Sequence, residues 1–570
     1  MDKQLKIMKL ITIVSIIMLY QLSFSQSKKN TFVKFNGSSE LSYDGYDYNV
    51  VNYSNFRPRY EPNIVRFMIN ANLKLGKHFS IPFGITVSNR TTTYNLPSLP
   101  QENAITYIQN PRNNIHIDPK YKWAKFHLGS QTPQYSSLTT GDIQIFGVGF
   151  EINPGKFILG MNYGKSQIAI EPNIILNVQG AYKQNIIAGR IGFGKIKGSK
   201  FVINIAKIKD DPNSVTTAPI GITPAEGISV SPLVEFKIFK KLTFKTETAL
   251  SVFTQDILNT TNFLDPSISS INKLITINGT TLIDFGHTSS LEWKNKNFKL
   301  GGEIKYIGPG FYPTGYRNFE KDILDYKIKT GFKLFKKKMN FKGTFGIRTN
   351  NINNTHLSTS NRLIANLNLF AQITKNFTLN FSFANFGFKN NPQAGYPKVE
   401  MINNSYMISP SYRIKNKKLT HQINVNASLN QFKQFDVSVL DFVNTSSRTY
   451  SGNYRIKFNN KPLNIGFNTL YVNTKSDVLD LKILSYGITS GYKLFKKKLK
   501  PSLAINIINV ENNSQVQNNR INARLKIKYK INKTTAVKFG YRFNNVRYGI
   551  IHPGAELNEN RFQFSISKKF

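Results

Sequence analysis

The chain has 570 residues, no cysteine, and 76 Lys plus Arg against 31 Asp plus Glu, a formal net charge of +45. The missing cysteines exclude disulfide frameworks, thiol nucleophiles and Cys-ligated metals. The charge favours anionic partners such as phosphate-bearing lipids, acidic glycans or acidic proteins, although AT-rich coding would also enrich Lys, Asn and Ile; no recognition motif accompanies it to suggest nucleic acid.

The first element is a secretory signal over residues 1–25. Lys3, Lys6 and Lys9 supply its positive region, Leu10 to Leu22 its apolar stretch, and Ser23-Phe24-Ser25 the small residues before a new start at Gln26. A membrane-spanning helix is the rival reading, but the stretch is short of the usual ~20 residues and contains Thr12, Ser15, Tyr20 and Gln21. Composition does not shift over 26–570 and no Pro/Ser-rich linker interrupts it, so one large domain is expected.

From there the chain turns at a spacing of roughly forty residues. Short Lys/Asn/Gly/Pro clusters stand at Gly76-Lys77, Asp118-Pro119-Lys120, Asn153 to Lys156, Lys197 to Lys200, Lys240-Lys241 and Lys294 to Asn297. They continue at Lys336 to Lys338, Lys375-Asn376, Lys415 to Lys418, Asn459 to Pro462, Lys496 to Lys498 and Asn532-Lys533. Two long alternating segments joined by a looser loop fill each interval, the rhythm of a transmembrane β-barrel with short turns on one side.

Alternation supports this. Tyr326, Ile328, Phe332 and Leu334 oppose Lys327, Lys329 and Lys333; Leu525, Ile527, Tyr529 and Ile531 oppose Lys526, Lys528 and Lys530. The strand around Leu363 to Ile373 is less clean, because Ile364 and Phe370 sit on its polar side. Period two gives one wet and one greasy face. In a bilayer the greasy face points outward and every backbone group must pair within a closed sheet. Many runs exceed the roughly ten residues needed to cross hydrocarbon, which argues against the short strands of a propeller.

Twelve turns imply about 26 strands, within a range of about 22 to 28, all antiparallel in a single all-β barrel. Gly331-Phe332-Lys333-Leu334-Phe335-Lys336-Lys337-Lys338 recurs as Gly491-Tyr492-Lys493-Leu494-Phe495-Lys496-Lys497-Lys498. Phe562, Phe564, Ile566 and Phe570 share one face of a final strand, resembling the signal by which the barrel assembly machinery recognises outer-membrane barrels; Lys568 departs from it.

So wide a barrel needs something in its lumen. The longest expected loops are about Asp44–Tyr60, Thr91–Arg112, Asp210–Glu226 and Gln255–Thr280. Importers of the TonB-dependent type carry a plug domain before the first strand; here a strand is expected almost directly after the signal, which speaks against that route. Either long loops fold inward to leave a selective channel, or a protein partner fills or caps the hole. Lys327, Lys329, Lys333, Lys526, Lys528 and Lys530 are the lumen-facing candidates, suited to anionic solutes or an acidic partner segment, or serving only to hydrate the wall.

Catalytic, cofactor and metal signals are weak. The histidines at 78, 116, 127, 287, 356, 421 and 552 show no metal-ligand spacing. His287 with Ser289 and Ser290 evokes a hydrolase only faintly. Asp210-Asp211-Pro212-Asn213 reads as a plain turn before a calcium loop. Asp44-Gly45-Tyr46-Asp47-Tyr48 mixes aromatics and carboxylates as sugar-binding loops do. No helix is evident after the signal.

Lys120-Tyr121-Lys122-Trp123-Ala124-Lys125-Phe126-His127-Leu128-Gly129, together with Phe146 to Phe157 and the signal ending before Gln26, resembles large outer-membrane barrels of Bacteroidota. The resemblance implies location in the outer-membrane lipid. It also implies big assemblies for glycan uptake, type IX secretion or gliding as possible settings. The expectation is a non-enzymatic outer-membrane barrel without cofactor. Its leading role is a porin-like or partner-gated transport channel for anionic or polar solutes; the alternative is a scaffold within a secretion, glycan-uptake or motility complex.

Overall fold

The computed structural model describes residues 32–570 apart from 54–55, 61, 90–103, 111–112, 175–177, 240, 262–271, 315–318, 356, 393–398 and 437–440. The expected signal lies outside the described residues.

Every wall strand pairs antiparallel with the wall strand before it. β1 (Val33–Val51) pairs with β2 (Ile64–Leu75), β2 with β3 (Phe79–Ser88), and so on to β27 (Glu556–Lys569). β27 then closes on β1, from Ser38↔Lys569 to Val51↔Glu556. β4 (His116–Ile117) and β5 (Lys120–Tyr121) both lie between β3 and β6 (Ala124–Gln131), so they are two pieces of one wall strand. The ring therefore has 26 members and no free edge, the solution that hydrocarbon imposes on a spanning sheet.

That broken strand corrects one expected turn. Asp118-Pro119 interrupts the wall, since proline brings no N–H to the ladder. The reversal comes at Lys122-Trp123, with Lys122 at φ 45°. The other described turns stand where the polar clusters are. The repeated octapeptide encodes a repeated turn: Phe335, Lys336 and Lys337 have φ 51°, 55° and 71°, and Phe495, Lys496 and Lys497 have 49°, 52° and 71°.

Two loop expectations change. β1 continues through Asp44 to Val51, because Asp44 and Tyr46 point inward and bond to Arg561 and Glu559 on β27. Polar interior residues had the look of a loop. The Thr91–Arg112 segment contains a short helix, α1 (Ala104–Gln109), too brief to show a helical period.

The two faces sort by chemistry. On β10 (Lys200–Asp211), Ile203 and Ile205 are exposed toward lipid while Asn204 and Ala206 are buried inside. The final strand follows suit: Phe562, Phe564 and Ile566 lie across from Tyr541, Phe539 and Val537 on the outward face. Phe570 N–H donates to Gly37 O, and the Phe570 ring stacks on Phe35 at 4.7 Å.

Strand length divides the ring. β6 and β7 (Ile145–Ile152) have 8 residues each, whereas β20 (Leu419–Asp436) and β21 (Asp441–Phe458) have 18. A strand of the second kind reaches about 60 Å at ~3.3 Å per residue, well beyond a hydrocarbon core of about 30 Å.

Candidate functional site: the lumen

Two loops turn into the barrel from the long-loop side. One, residues 132–144, joins β6 to β7; the other, 308–322, joins β14 (Phe298–Ile307) to β15 (Ile323–Leu334). Neither is among the four expected to be longest. What sends them inward is their apolar content: Leu138, Ile143, Phe311 and Tyr312 would otherwise stand in water.

Each loop builds a small core against the wall. Phe311 is fully buried among Leu138, Ala249, Ile307 and Ile323, with Phe319 beside it. Ile143 packs with Ile145, Ile186, Ile208 and Phe253, and Tyr312 stacks flat on Phe253 at 3.7 Å. Gly286 makes the space, since a Cβ there would meet the Phe311 ring at 3.2 Å and Ile307 at 3.1 Å.

Polar contacts fix the same loops. Ser136 Oγ donates to the buried Glu247 carboxylate and accepts from the Leu138 and Thr139 N–H groups at 2.9 and 3.1 Å. Ser231 Oγ donates to the same Glu247 oxygen at 2.8 Å. Tyr312 N–H donates to Ser251 Oγ at 2.9 Å, and Thr314 Oγ1 lies 2.8 Å from Ser229 Oγ.

A chain of charges supports the 132–144 loop from the side. Asp118 sits 3.0 Å from His116 Nδ1 and 2.9 Å from His127 Nδ1, and His127 Nε2 lies 3.3 Å from Glu151. Arg190 donates to Glu151 at 2.8 Å and lies over the Tyr135 ring at 4.5 Å. Burial pushes the Tyr135 phenol above its ordinary range, with the Glu151 carboxylate adding to the effect. These residues span 116–190, so no local motif announces them. Among the described residues no group fit to hold a metal is present.

The remaining wall is different. From β17 (Ser358–Gln372) to β26 (Thr535–Tyr548), strand register puts Asn, Ser and Thr on the interior face in long runs. On β19 (Val399–Lys415) and β20, Ser411 faces Asn424 and Ser405 faces Asn430; on β20 and β21, Asn424 faces Asn453 and Ser428 faces Thr449. Ser409 and Ser411 donate to Asn426 and Asn424 at 2.8 and 2.7 Å. Interior Asn366, Asn368 and Asn430 are exposed, whereas Asn204 is 1 % and Ser251 0 % exposed on the other side. Among the described residues, the carboxylates that register places on the interior face of these ten strands are Asp436 and Asp441, opposite each other at the loop end of β20 and β21.

The six lysine candidates divide along the same line. All face away from the lipid-side apolar rows. On β15, Lys327 binds Asp325 at 2.6 Å and Lys329 binds Glu303 at 2.5 Å, and Asp325 is shared with Arg348. Lys333 lies opposite Asn340 near the turn. On β25 (Gln515–Lys530), Lys526, Lys528 and Lys530 are exposed and make no ion pair among the described residues.

The weak motifs resolve simply. His287 does sit 2.8 Å from Ser289, but Thr248 Oγ1 takes its other nitrogen at 2.8 Å, on the outward face beside Phe285 and Leu291. Asp210 and Asp211 are occupied by Ala225 N–H and Gln184 and by Lys183 and Asn213 N–H. Asp44 is held by Arg561.

No protein-family model and no curated protein matches the chain. Among solved structures, a mutant of the ferric enterobactin receptor PfeA from Pseudomonas aeruginosa aligns over 94% of this chain and 80% of its own, at 8% identity and TM-score 0.41. OccK11 from the same organism covers 94% and 96% at 8% identity and TM-score 0.29. The outer membrane channel DcaP of Acinetobacter baumannii covers 50% and 87% at 11% identity and TM-score 0.30.

Proposed function

We propose that the chain is a passive channel of the outer membrane, narrowed by its own two inward loops, that passes small polar solutes with a preference for anions. One observation carries this reading. Ten consecutive strands present an interior rich in amides, hydroxyls and cations, on which register places, among the described residues, only Asp436 and Asp441 as carboxylates, both at the loop end of β20 and β21. Such a wall holds water and attracts negative solutes into a low-dielectric enclosure. The outward aromatic row Phe562, Phe564, Ile566 and Phe570 suits recognition by the barrel assembly machinery. The stretch from Lys120 to Phe157 suits a Bacteroidota origin.

Reconstitution of the purified protein in planar bilayers tests it. A steady, anion-preferring conductance is expected. Silence from folded, heat-modifiable protein would sink the channel and leave a barrel whose open half receives a protein partner. That second reading draws on the same bare wall, and stoichiometric co-purification from native membranes would favour it.

A further inference from the structure

We propose that the interior strip formed by β24 (Leu499–Asn512), β25, β26 and β27 is a binding track for a linear acidic oligosaccharide. The inference rests on the channel reading and names its solute.

Register creates the track. Lys528 lies directly opposite Lys500 on one side and Lys538 on the other. Further from the turn, Arg524 lies opposite Arg542, and Arg542 opposite Arg561. Like charges directly across a strand pair oppose folding, yet here they recur at two levels. The levels are four residues apart on β25, roughly 13 Å at ~3.3 Å per residue.

The charge is left for something outside the chain. Lys538 has Glu40 at 3.4 Å, and Arg561 is clamped by Asp44 at 2.7 and 2.8 Å. Lys500, Lys526, Lys528, Arg524 and Arg542 have no acidic partner among the described residues, in contrast to Lys327 and Lys329 on β15. A wall that needed charge only for hydration would gain by interleaving signs, as β14, β15 and the following strand β16 (Met339–Asn350) do.

Amides adjoin the cations. Asn506 and Asn522 lie across from each other on β24 and β25, just beyond the arginine level, and Asn544 continues the row on β26, where its amide donates to Glu559 of β27 at 2.7 Å. Asn468 on β22 (Leu463–Lys475) donates to Asn506 at 2.9 Å, extending the row sideways. An amide both donates and accepts, which complements a hydroxyl. Arginine forks match carboxylate or sulfate oxygens two at a time. A ligand carrying anions at intervals and hydroxyls between them uses both features. An inorganic anion would use one level only, and an acidic peptide would leave the amide row without its complement.

The test is block of ion current through the full-length protein by trigalacturonate, with maltotriose and an oligoglutamate as comparators. Trigalacturonate should block at a concentration at least about tenfold below maltotriose. A triple variant Lys528→Ala, Arg524→Ala, Arg542→Ala, checked for folding by heat-modifiable migration, should lose that advantage. Equal block by the neutral sugar, an unaltered block in the triple variant, or stronger block by oligoglutamate each overturns the proposal. Absence of any current overturns the channel instead; calorimetric titration of trigalacturonate into the detergent-solubilised protein then decides the track on its own, binding supporting it and no heat refuting it.

Discussion

One half of this barrel is packed and the other is bare. Between β6 and β16 (Met339–Asn350) strands are short, interior residues such as Ile145, Ala188, Ser229 and Ile307 are buried to 0–1 % exposure, and inward acids and bases neutralise each other. Between β17 and β26 strands run to 18 residues, interior residues such as Asn366, Asn368 and Asn430 stay wet, and Lys500, Lys526, Lys528, Arg524 and Arg542 have no acidic partner among the described residues. The same lipid-facing alternation runs through both. The barrel wall is thus one design, and the lumen is two. Fully buried inward apolar residues cluster where the chain supplies a loop to cover them, whereas Phe370 and Phe386 on the bare side stay exposed. Elsewhere the wall is mostly hydrophilic, and among the described residues no loop core forms against it.

Substitutions that empty the packed half should cost most. Phe311→Ala removes a fully buried ring and should destabilise by about 3–5 kcal/mol. Phe386→Ala, on the bare side with its ring 57 % exposed, should cost under ~1 kcal/mol. The urea midpoint of heat-modifiable migration would compare them, and similar losses would mean the two halves are alike.

Next comes Glu247→Ala. It strands Ser136 and Ser231, releases the N–H network at the head of the 132–144 loop, and should cost ~1–3 kcal/mol. Faster proteolysis within that loop, with the strands still protected, is the expected signature. Gly286→Ala pushes on Phe311 and Ile307 and should cost about 1–3 kcal/mol. Gly302→Ala, whose added Cβ meets nothing within 4 Å, should be close to neutral. A small effect is also expected of Lys329→Ala. Its partly exposed pair with Glu303 is worth about 0–1 kcal/mol, whereas Lys528→Glu relieves the opposition to Lys500 and Lys538, should stabilise by under ~1 kcal/mol, and should weaken the anion preference of the current.

Much of the wall was legible in the sequence because its chemistry repeats. Period-two alternation and polar turn clusters report on lipid and on hairpins at every step, so the strand number and the outward faces of Tyr326, Ile328, Leu525 and Phe562 emerge directly. Asp118-Pro119 deceived because Pro marks a break in a strand as well as a turn. The lumen was less legible. Loop length suggested which loops fill it, but burial of Leu138 and Phe311 depends on pockets lined by Gly286, Ala249 and Phe253, far away in the chain. Likewise nothing local separates Lys327 from Lys528. The difference lies in Asp325 and Glu303 beside one, and Lys500 and Lys538 beside the other. Cross-strand register alone reveals that.

Because the chain has no cysteine, single thiols can report on the interior without background. Ser251→Cys and Asn430→Cys both face inward, one under the loops and one on the bare wall. In liposome-inserted protein, a small water-soluble maleimide should label Cys at position 430 rapidly and leave that at 251 unmodified until the protein is denatured. Equal labelling of both, or protection of both, would contradict a lumen that is filled on one side and open on the other.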